Sequence, residues 1–461
     1  MTGHLIGPGS ILGNRNLCEQ AIQAVTAGGK DAFELQGTIR KQISPELAGL
    51  ITTVANLQTK AKLKLQAPDE PQRIWWGTEK SFQQATPWQV ARLKSKWFAN
   101  KPVFDLCCGN GGDALQLKNR GPVVAVDSDP LIAELVAANL GVEHVDHHLG
   151  VEHVDHHLGI ERDHGIEHDH GVEHGADSQE PKAAPDPSPQ PQMTHQVICG
   201  DVMALHLPAS SWINIDPDRR PDTKNTNTQP LQAGAKRISN PDHYQPGWQS
   251  VVQLVLNSSG ACIKLAPAAN PDVTQLADSH RCWISLSGSV REQTLLYGGV
   301  LANSELPASG RSAVALKSDG SSHWFIATPE MVTQRAPITD KPQNWLVDPD
   351  AAIRAAGLTD AYAVSQQLSV LGRASGFLTG EKPPTPEKVS ISAEVLWSGT
   401  CDDRKLRREL RQRNFYPEVI KVRGTDHSPE KLTRKYRKCG QIPICLWIGR
   451  GKERVYAAFT R

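Results

Sequence analysis

Cysteine is sparse and unpaired in this chain of 461 residues: nine are scattered along it and no two stand in a C-x-x-C arrangement. That spacing excludes a zinc-finger framework and a disulfide scaffold, and it is the usage expected of a reducing compartment. Long apolar runs are missing too. Nothing approaches the about 18 consecutive apolar residues that a membrane helix needs. The start, MTGHLIGPGSILG, lacks a basic region followed by a long apolar core, the mark of a secretory leader. Net charge is only +1, so the chain as a whole has no electrostatic preference for a polyanion or a membrane surface. No Ser-His-Asp arrangement and no metal-ligand spacing occurs outside one histidine-rich repeat. The expectation from these absences is a cytoplasmic protein with no membrane partner, no obligate protein partner and no resident metal. The length predicts two or three domains.

What the chain does have is concentrated between Val103 and Pro130, which reads VFDLCCGNGGDALQLKNRGPVVAVDSDP. Val103 to Cys107 and Val123 to Val126 have the composition of buried strands. Between them, Gly109-Asn110-Gly111-Gly112 predicts a turn whose missing side chains let backbone N–H groups approach a ligand. A helix starts near Ala114. The second strand ends in Asp127, 18 residues after Gly109, where a carboxylate can accept the two hydroxyls of a ribose. The pattern predicts a β-turn-α-β-acid unit for a nucleoside cofactor.

The spacing Gly109-x-Gly111-x-x-Ala114 also satisfies the permissive dinucleotide fingerprint, so the turn by itself leaves NAD or FAD open. Three details point to S-adenosylmethionine instead. Asp105 sits in the end of the first strand, where it suits a positively charged amino-acid moiety and repels a pyrophosphate. Asp201 follows the apolar run Gln196-Val197-Ile198-Cys199, within reach of an adenine amino group. Ile213-Asn214-Ile215-Asp216-Pro217 then places an acid and a proline after a fourth strand. A lone acid at a strand end is commonly a turn residue, but Asp105, Asp127, Asp201 and Asp216 close successive strands in register.

Upstream, residues 16–65 have helical spacing through Leu17, Ala21, Ile22 and Val25, and again through Leu47, Ile51 and Val54. Residues 1–80 are read as an N-terminal helical region. Trp88 to Phe98 predicts an amphipathic helix with Thr86 as its cap and Pro87 at its first position; Gln84 and Thr86 are alternatively contacts for the methionine end of the cofactor. The class of domain expected over 81–335 is interrupted at 141–195. There GVEHVDHHL occurs at 141–149 and again at 150–158, followed by shorter units and a Pro-rich tail, and 11 of the 17 histidines fall between His144 and His195. Such a tract can bind zinc, nickel or copper weakly. It is better read as a disordered polar insert in a surface loop, too poor in apolar residues to form a core.

After Asp216-Pro217 come Asp218-Arg219-Arg220, arginines that can grip a phosphate, stack on a base, or pair with Asp113 or Asp218. Strands are expected at Ala261 to Leu265, Cys282 to Leu286, Val314 to Leu316 and Trp324 to Ala327. Lys264 is a substrate-binding candidate whose ordinary alternative is snorkelling to solvent. Residues 336–385 are expected to be a helical connector ending in the Pro-rich break at Lys382 to Pro386. The last module, 386–461, predicts a compact α+β domain. From Cys401 to Arg461 it carries 17 Lys and Arg against 7 Asp and Glu, a surplus that suits nucleic acid. Lys421 and Arg423 are its candidate phosphate ligands.

DLCCGNGGDAL, VAVDSDP, IDPDRR, the IKLAP strand, WISLSGSVREQTLLYG and the closing VIKVRGTD together resemble a bacterial family of class I methyltransferases carrying a C-terminal THUMP-like domain. The likeness covers nearly the whole chain except the histidine repeat. The D-x-x-C-G-x-G-G turn also resembles the RNA cap guanine-N2 methyltransferase group, with Cys107 where many class I enzymes have their first glycine. In amino methyltransferases the turn after the fourth strand is Asp/Asn-Pro-Pro-aromatic, and here Arg219 stands at the aromatic position.

The resemblance implies an α/β fold, a Rossmann-like class I methyltransferase sheet with an N-terminal helical region and a small C-terminal α+β domain. It also implies RNA as the partner, because THUMP domains accompany RNA modification. The expected function is methyl transfer from S-adenosylmethionine to a tRNA or rRNA base. The cofactor set is Asp105, Cys107, Gly109, Gly111, Asp127, Ser128, Asp201 and Val202. Asp216 and Arg219 are the catalytic candidates, and Arg220, Lys264, Lys421 and Arg423 the substrate-binding ones. The alternatives are an RNA-binding protein with a degenerate methyltransferase fold and an NAD-dependent oxidoreductase.

Overall fold

A computed structural model describes residues 10–27, 43–147, 195–219, 239–372, 376–386 and 388–461. Most of the histidine repeat and Arg220 lie outside the described residues. The chain divides into two compact units, Met1–Ile215 with Leu256–Ser259, and Asp216–Val255 with Gly260–Arg461.

The first unit opens with helices α1 (Arg15–Ala27) and α2 (Pro45–Leu65), followed by α3 (Glu79–Gln84) and α4 (Trp88–Ser95). Helix α2 starts where Ser44 accepts a hydrogen bond from Leu47 N and Pro45 takes the first helical position, a residue whose missing N–H costs nothing there. Its buried stripe, Leu47, Ile51, Val54 and Ala55, packs with Cys18 and Ile22 of α1 and with Leu135 and Ala138 of α6. The sheet alternates with helices: β1 (Val103–Leu106), α5 (Gly112–Leu117), β2 (Val123–Asp127), α6 (Pro130–Leu140), β3 (Asp146–His147), β4 (Gln196–Cys199) and β5 (Trp212–Ile215). β1 pairs in parallel with β2 and β5, and β4 with β2 and β3. All residues of β1 and β5 are buried. Parallel strands covered on both faces need near-continuous apolar runs, and the two polar residues that interrupt them, Asp105 and Asn214, bond to each other.

The predicted first strand is one residue too long. It stops at Leu106, because Cys107 takes a left-handed conformation, φ 55°, that no extended ladder continues. The predicted cap of α4 is corrected as well. Pro87 is the N-cap residue and no side chain caps the helix, while Thr86 Oγ1 donates to Asp113 Oδ2 at 3.0 Å. Lys94 Nζ reaches the same oxygen at 2.7 Å, with both side chains buried. Asp113, one of the alternative partners considered for Arg219 and Arg220, belongs to a buried ion pair that ties α4 to α5.

In the second unit, α7 (Trp248–Leu256) precedes β6 (Gly260–Leu265), β7 (His280–Leu286) and β8 (Ser289–Tyr297). Then come α8 (Gly298–Ser304), β9 (Arg311–Leu316), β10 (Ser322–Ala327) and α9 (Pro329–Thr333). β8 is antiparallel to both β6 and β7, β7 is parallel to β9, and β10 returns antiparallel to β9.

Where a helical connector is expected at 336–385, the chain contributes β11 (Ile338–Thr339), β12 (Trp345–Pro349), β13 (Ser369–Leu371) and β14 (Leu378–Gly380), with only α10 (Ala351–Ala355) and α11 (Thr359–Ser365) between them. Leu346 and Val347 are buried and their strand is paired on both sides, so tertiary pairing overrides the local helical pattern. The final module holds β15 (Ser390–Thr400), α12 (Asp403–Gln412), β16 (Phe415–Arg423), α13 (Pro429–Tyr436), β17 (Ile442–Arg450) and β18 (Val455–Thr460). β15 pairs with β12, so one eight-stranded sheet, β11-β13-β14-β12-β15-β18-β17-β16, runs across the Pro-rich break. Leu406, Leu410, Leu432 and Tyr436 pack α12 and α13 on one of its faces. Among the described residues no helix is long and apolar enough to cross a membrane.

Lys94→Met should cost about 3–5 kcal/mol, because it strands the Asp113 carboxylate in the interior without that counter-charge. Lys94→Met with Asp113→Leu should recover much of the loss. Urea denaturation of the three proteins measures it, and equal midpoints for the wild type and the single variant would contradict the pairing.

Candidate functional site

In the first unit the carboxyl ends of β1, β2 and β4 meet at the glycine turn. Cys108 N donates to Val126 O at 3.0 Å, and Gly111 N closes the turn on Cys108 O at 3.0 Å. Alternate residues are left-handed: Cys107 at φ 55°, Gly109 at φ 55° and Gly111 at φ 79°. A side chain at Gly111 would collide with Val136 Cγ2 of α6. At Gly109 a Cβ would meet nothing within 4 Å, so that glycine faces open space, as a close backbone approach to a ligand requires.

Asp127 organises the turn. Its Oδ2 accepts from Gly109 N at 3.0 Å and its Oδ1 from Asp129 N at 3.1 Å. Gly200 N donates to Asp127 O at 3.0 Å, which brings the end of β4 alongside. Two residues past β4, Asp201 is exposed, with Oδ1 accepting from Met203 N at 2.9 Å. Val202 beside it is buried and Ser128 is exposed. Asp105 lies one residue inside the end of β1, 1% exposed, and accepts from Asn214 Nδ2 of β5 at 2.7 Å. The charge gathered here is negative: burial, then Asp127 and Asp105, push the Cys108 thiol far above its ordinary range. Burial with Asp127 and Asp129 does the same, less strongly, to Cys199.

Asn139 was not singled out from sequence. Its Nδ2 donates to Asn110 O at 2.9 Å and to Trp76 O at 2.8 Å, while its Oδ1 accepts from Trp76 N at 2.8 Å. It therefore fastens the turn to α6 and to the segment before α3. Its signal was a lone amide in the apolar helix PLIAELVAANL. Asn110 itself is 2% exposed, and its Nδ2 makes no hydrogen bond among the described residues. An orphaned buried donor next to the open approach at Gly109 fits a ligand that carries an acceptor, such as a carboxylate.

In the second unit, Asp216 follows Ile215 directly. Its Oδ2 takes the Lys264 ammonium at 2.5 Å, and Glu292 Oε2 stands 3.9 Å from the same nitrogen. Lys264 is buried on β6, opposite Thr294 of β8, so the snorkelling alternative is corrected: the side chain is spent on holding Asp216. Asp218 exchanges both backbone hydrogen bonds with Gln245. This places Tyr244 close by, with its hydroxyl accepting from Ala266 N at 3.2 Å. Burial raises the Tyr244 phenol, the Arg219 charge opposes that and the Asp216 charge adds to it. Arg219 Nη1 is buried and unbonded among the described residues. Lys421 and Arg423 lie on β16, far along the chain from this cluster. Among the described residues no group of histidine, cysteine and acidic side chains is arranged to hold a metal ion.

No protein-family model matches the chain. Two proteins of Mycobacterium tuberculosis, from strains CDC 1551 / Oshkosh and ATCC 25618 / H37Rv, are each described as an uncharacterized S-adenosylmethionine-dependent methyltransferase. Each is 24% identical over 402 residues, covering 87% of this chain and 91% of the relative. The crystal structure of a putative methyltransferase from Porphyromonas gingivalis W83 superposes with a TM-score of 0.63 at 15% identity, covering 100% of this chain and 98% of that one. The fold is thus the mixed α/β architecture expected from the sequence.

The folded protein should keep Cys108 protonated and resistant to iodoacetamide at about pH 8, where an ordinary thiol begins to react. Labelling should appear on unfolding in urea. A thiol raised in the folded state stabilises fully below its unfolded value of about 8.5, and that contribution is lost as pH rises toward the folded value. Cys108 is only half-buried, so its resistance rests on the raised thiol; peptide mass mapping reads the labelling, and rapid modification of Cys108 in the native protein would contradict that direction.

Proposed function

We propose that this protein transfers the methyl group of S-adenosylmethionine to RNA, with a tRNA or rRNA base as the acceptor. The observation that carries the cofactor half is the glycine turn held on the Asp127 carboxylate at the carboxyl ends of parallel strands. There a left-handed Gly109 faces open space and acidic side chains gather. Such a rim suits a nucleoside bearing a sulfonium and an ammonium, and it repels a pyrophosphate. The names of the two mycobacterial relatives agree with this reading. The RNA half is supported by the basic surplus of the final module and by its THUMP-like resemblance.

The cofactor supplies a methyl group already activated on its sulfonium, so the protein's task is positioning. Asp105, the Asn110 side-chain amide and the open approach at Gly109 hold the amino-acid end. The Asp127 carboxylate, which accepts Gly109 N and Asp129 N, takes the ribose hydroxyls. Asp201 takes the adenine amino group, with Ser128 and Val202 flanking the ring system. The Lys264 ammonium holds Asp216 in place, and Asp216 orients an acceptor nitrogen or takes its proton. Arg219 offers its unbonded Nη1 to a phosphate or its guanidinium plane to a base, a substitute for the aromatic residue of the amino methyltransferases.

Calorimetry with S-adenosylhomocysteine should show binding to the wild type, weakened at least about tenfold in Asp127→Ala, which removes the acceptor of the ribose hydroxyls and of Gly109 N. Binding of a nicotinamide nucleotide with no heat from S-adenosylhomocysteine would overturn the cofactor.

Asp216→Asn should retain cofactor affinity and lose about 10²–10⁴-fold in single-turnover methylation. Mass-spectrometric mapping of cellular RNA with and without the gene identifies the acceptor. An unchanged set of methyl marks would point to a protein that binds RNA without modifying it, or to another class of acceptor.

A further inference from the structure

We propose that Arg354, Lys421 and Arg423, gathered around Asp348, bind a backbone phosphate of RNA. The proposal rests on the RNA reading above and names the contact that would carry it.

Strand β16 alternates its side chains. Ile420 and Val422 pack toward the core beneath α12 and α13, so Lys421 and Arg423 emerge together on the opposite face. There they meet Asp348 of β12. Lys421 Nζ is 2.7 Å from Asp348 Oδ2, and Arg423 Nη2 is 3.4 Å from Oδ1. Arg354, from α10, places its Nη1 3.0 Å from the same Oδ1 and also donates to Pro349 O. One carboxylate therefore faces three cations. A second acid, Asp350, caps α10, where its Oδ1 accepts from Ala352 N at 2.8 Å and from Ser285 Oγ at 2.6 Å; its charge also bears on Arg354, so two acids stand against the three cations.

Positive charge left over in a partly buried place is costly unless an anion shares it. The surroundings sharpen the cost. Lys421 Nζ lies 4.9 Å from the centre of the Trp447 ring, and the Arg423 guanidinium 5.5 Å from that of Phe377. Both rings are buried. Arg423 Nε is buried and makes no hydrogen bond among the described residues, although the side chain as a whole is 35% exposed. A donor without an acceptor, on a guanidinium already fixed by a carboxylate and a ring, is prepared for a second oxyanion. The two non-bridging oxygens of a phosphodiester match a guanidinium edge, and Lys421 supplies a point charge beside it. Asp348 is then the positioning residue: it lines up the cations and offsets part of their repulsion.

The test is fluorescence anisotropy of the full chain with a labelled stem-loop RNA over a series of potassium chloride concentrations. Arg423→Gln and Arg423→Glu should weaken binding and lower the slope of log affinity against log salt by about 1, the loss of one phosphate contact. Asp348→Asn, which leaves the cations unopposed, should bind RNA more tightly. If the cluster were only a structural tie, Asp348→Asn would leave RNA affinity unchanged or reduced.

Near-ultraviolet circular dichroism confirms that each variant is folded, and the half-exposed position of Arg423 makes its two variants the safer arm. Wild-type binding with slopes unaltered in both Arg423 variants overturns the site and leaves the RNA reading standing. No RNA binding by the wild type at any salt overturns the RNA reading, and the phosphodiester assignment falls with it. Inorganic phosphate that binds the wild type and not Arg423→Gln, while leaving RNA affinity and its salt slope unchanged at millimolar concentration, would assign the cluster to free phosphate and overturn the phosphodiester.

Discussion

The chain has to reverse between a strand buried on both faces and a helix that is itself buried, and it has five residues, Cys107 to Gly111, in which to do so. Three of them adopt positive φ. Two are glycines, to which this costs little; at Cys107 a side chain is carried through a conformation that costs on the order of 1–3 kcal/mol and persists only where the surroundings over-determine it. They do so here. The Asp127 carboxylate takes Gly109 N, Val126 O takes Cys108 N, and Asn139 fixes Asn110 O. The turn spends its Cys108, Gly109 and Gly111 N–H groups on internal acceptors and leaves the open side of Gly109 at the edge of the sheet where neighbouring strand ends also bring their acids. Fold and site are in this sense a single solution to one steric problem.

Charge is used differently in the interior and at the surface. The exposed pair Arg15–Glu19 is of the kind worth a few tenths of a kcal/mol. Lys94–Asp113 and Lys264–Asp216 are sheltered, and each ties together parts of the chain that apolar packing alone would leave free to slide. Lys94–Asp113 sets α5 directly behind the glycine turn. Lys264–Asp216 fixes a carboxylate whose neighbours, Tyr244 and Arg219, come from the turn and loop that follow. A buried pair is weak evidence for stability, since an apolar replacement of equal volume would serve as well. Its value is geometric, because it gives a side chain one position.

The glycine turn announces itself in sequence because glycine tolerates those angles best and because the flanking strands are apolar apart from Asp105 and Asp127. Asp127 is legible from its distance to Gly109, and β6, β7, β9 and β10 from their composition. The error at Thr86 arose because a threonine before Pro-Trp looks like a cap, whereas its real partner is Asp113, 27 residues on. Lys264 misled for a similar reason: burial of a lysine is decided by acids contributed by other segments, Asp216 and Glu292. The segment from Trp345 to Leu371 reads as helical because short helices do occur in it, at Ala351–Ala355 and Thr359–Ser365. Its strands declare themselves only through partners such as β14 and β15. Asn139 could have been suspected, since an amide in an otherwise apolar helix has to be satisfied somewhere. What it holds could not.

The basic surplus of the final module is distributed over two faces with different physical consequences. On α12 and α13, Arg404, Arg408, Arg411, Lys431, Arg434 and Lys435 are exposed, as are Arg437 and Lys438 just past the end of α13. Glu409 and Asp403 neutralise several neighbours in pairs open to water. Such a surface attracts a polyanion over a Debye length and holds no part of it in a fixed position. On the other face of the sheet, Lys421 and Arg423 are held by Asp348 and by buried rings, so less side-chain entropy remains to be lost when an anion arrives. Under the RNA reading proposed above, the helices would gather the polyanion and the strand would set where a phosphate rests. A carboxylate among those cations weakens the total attraction but confines it to one geometry, and chemistry that proceeds mainly by positioning needs the confinement more.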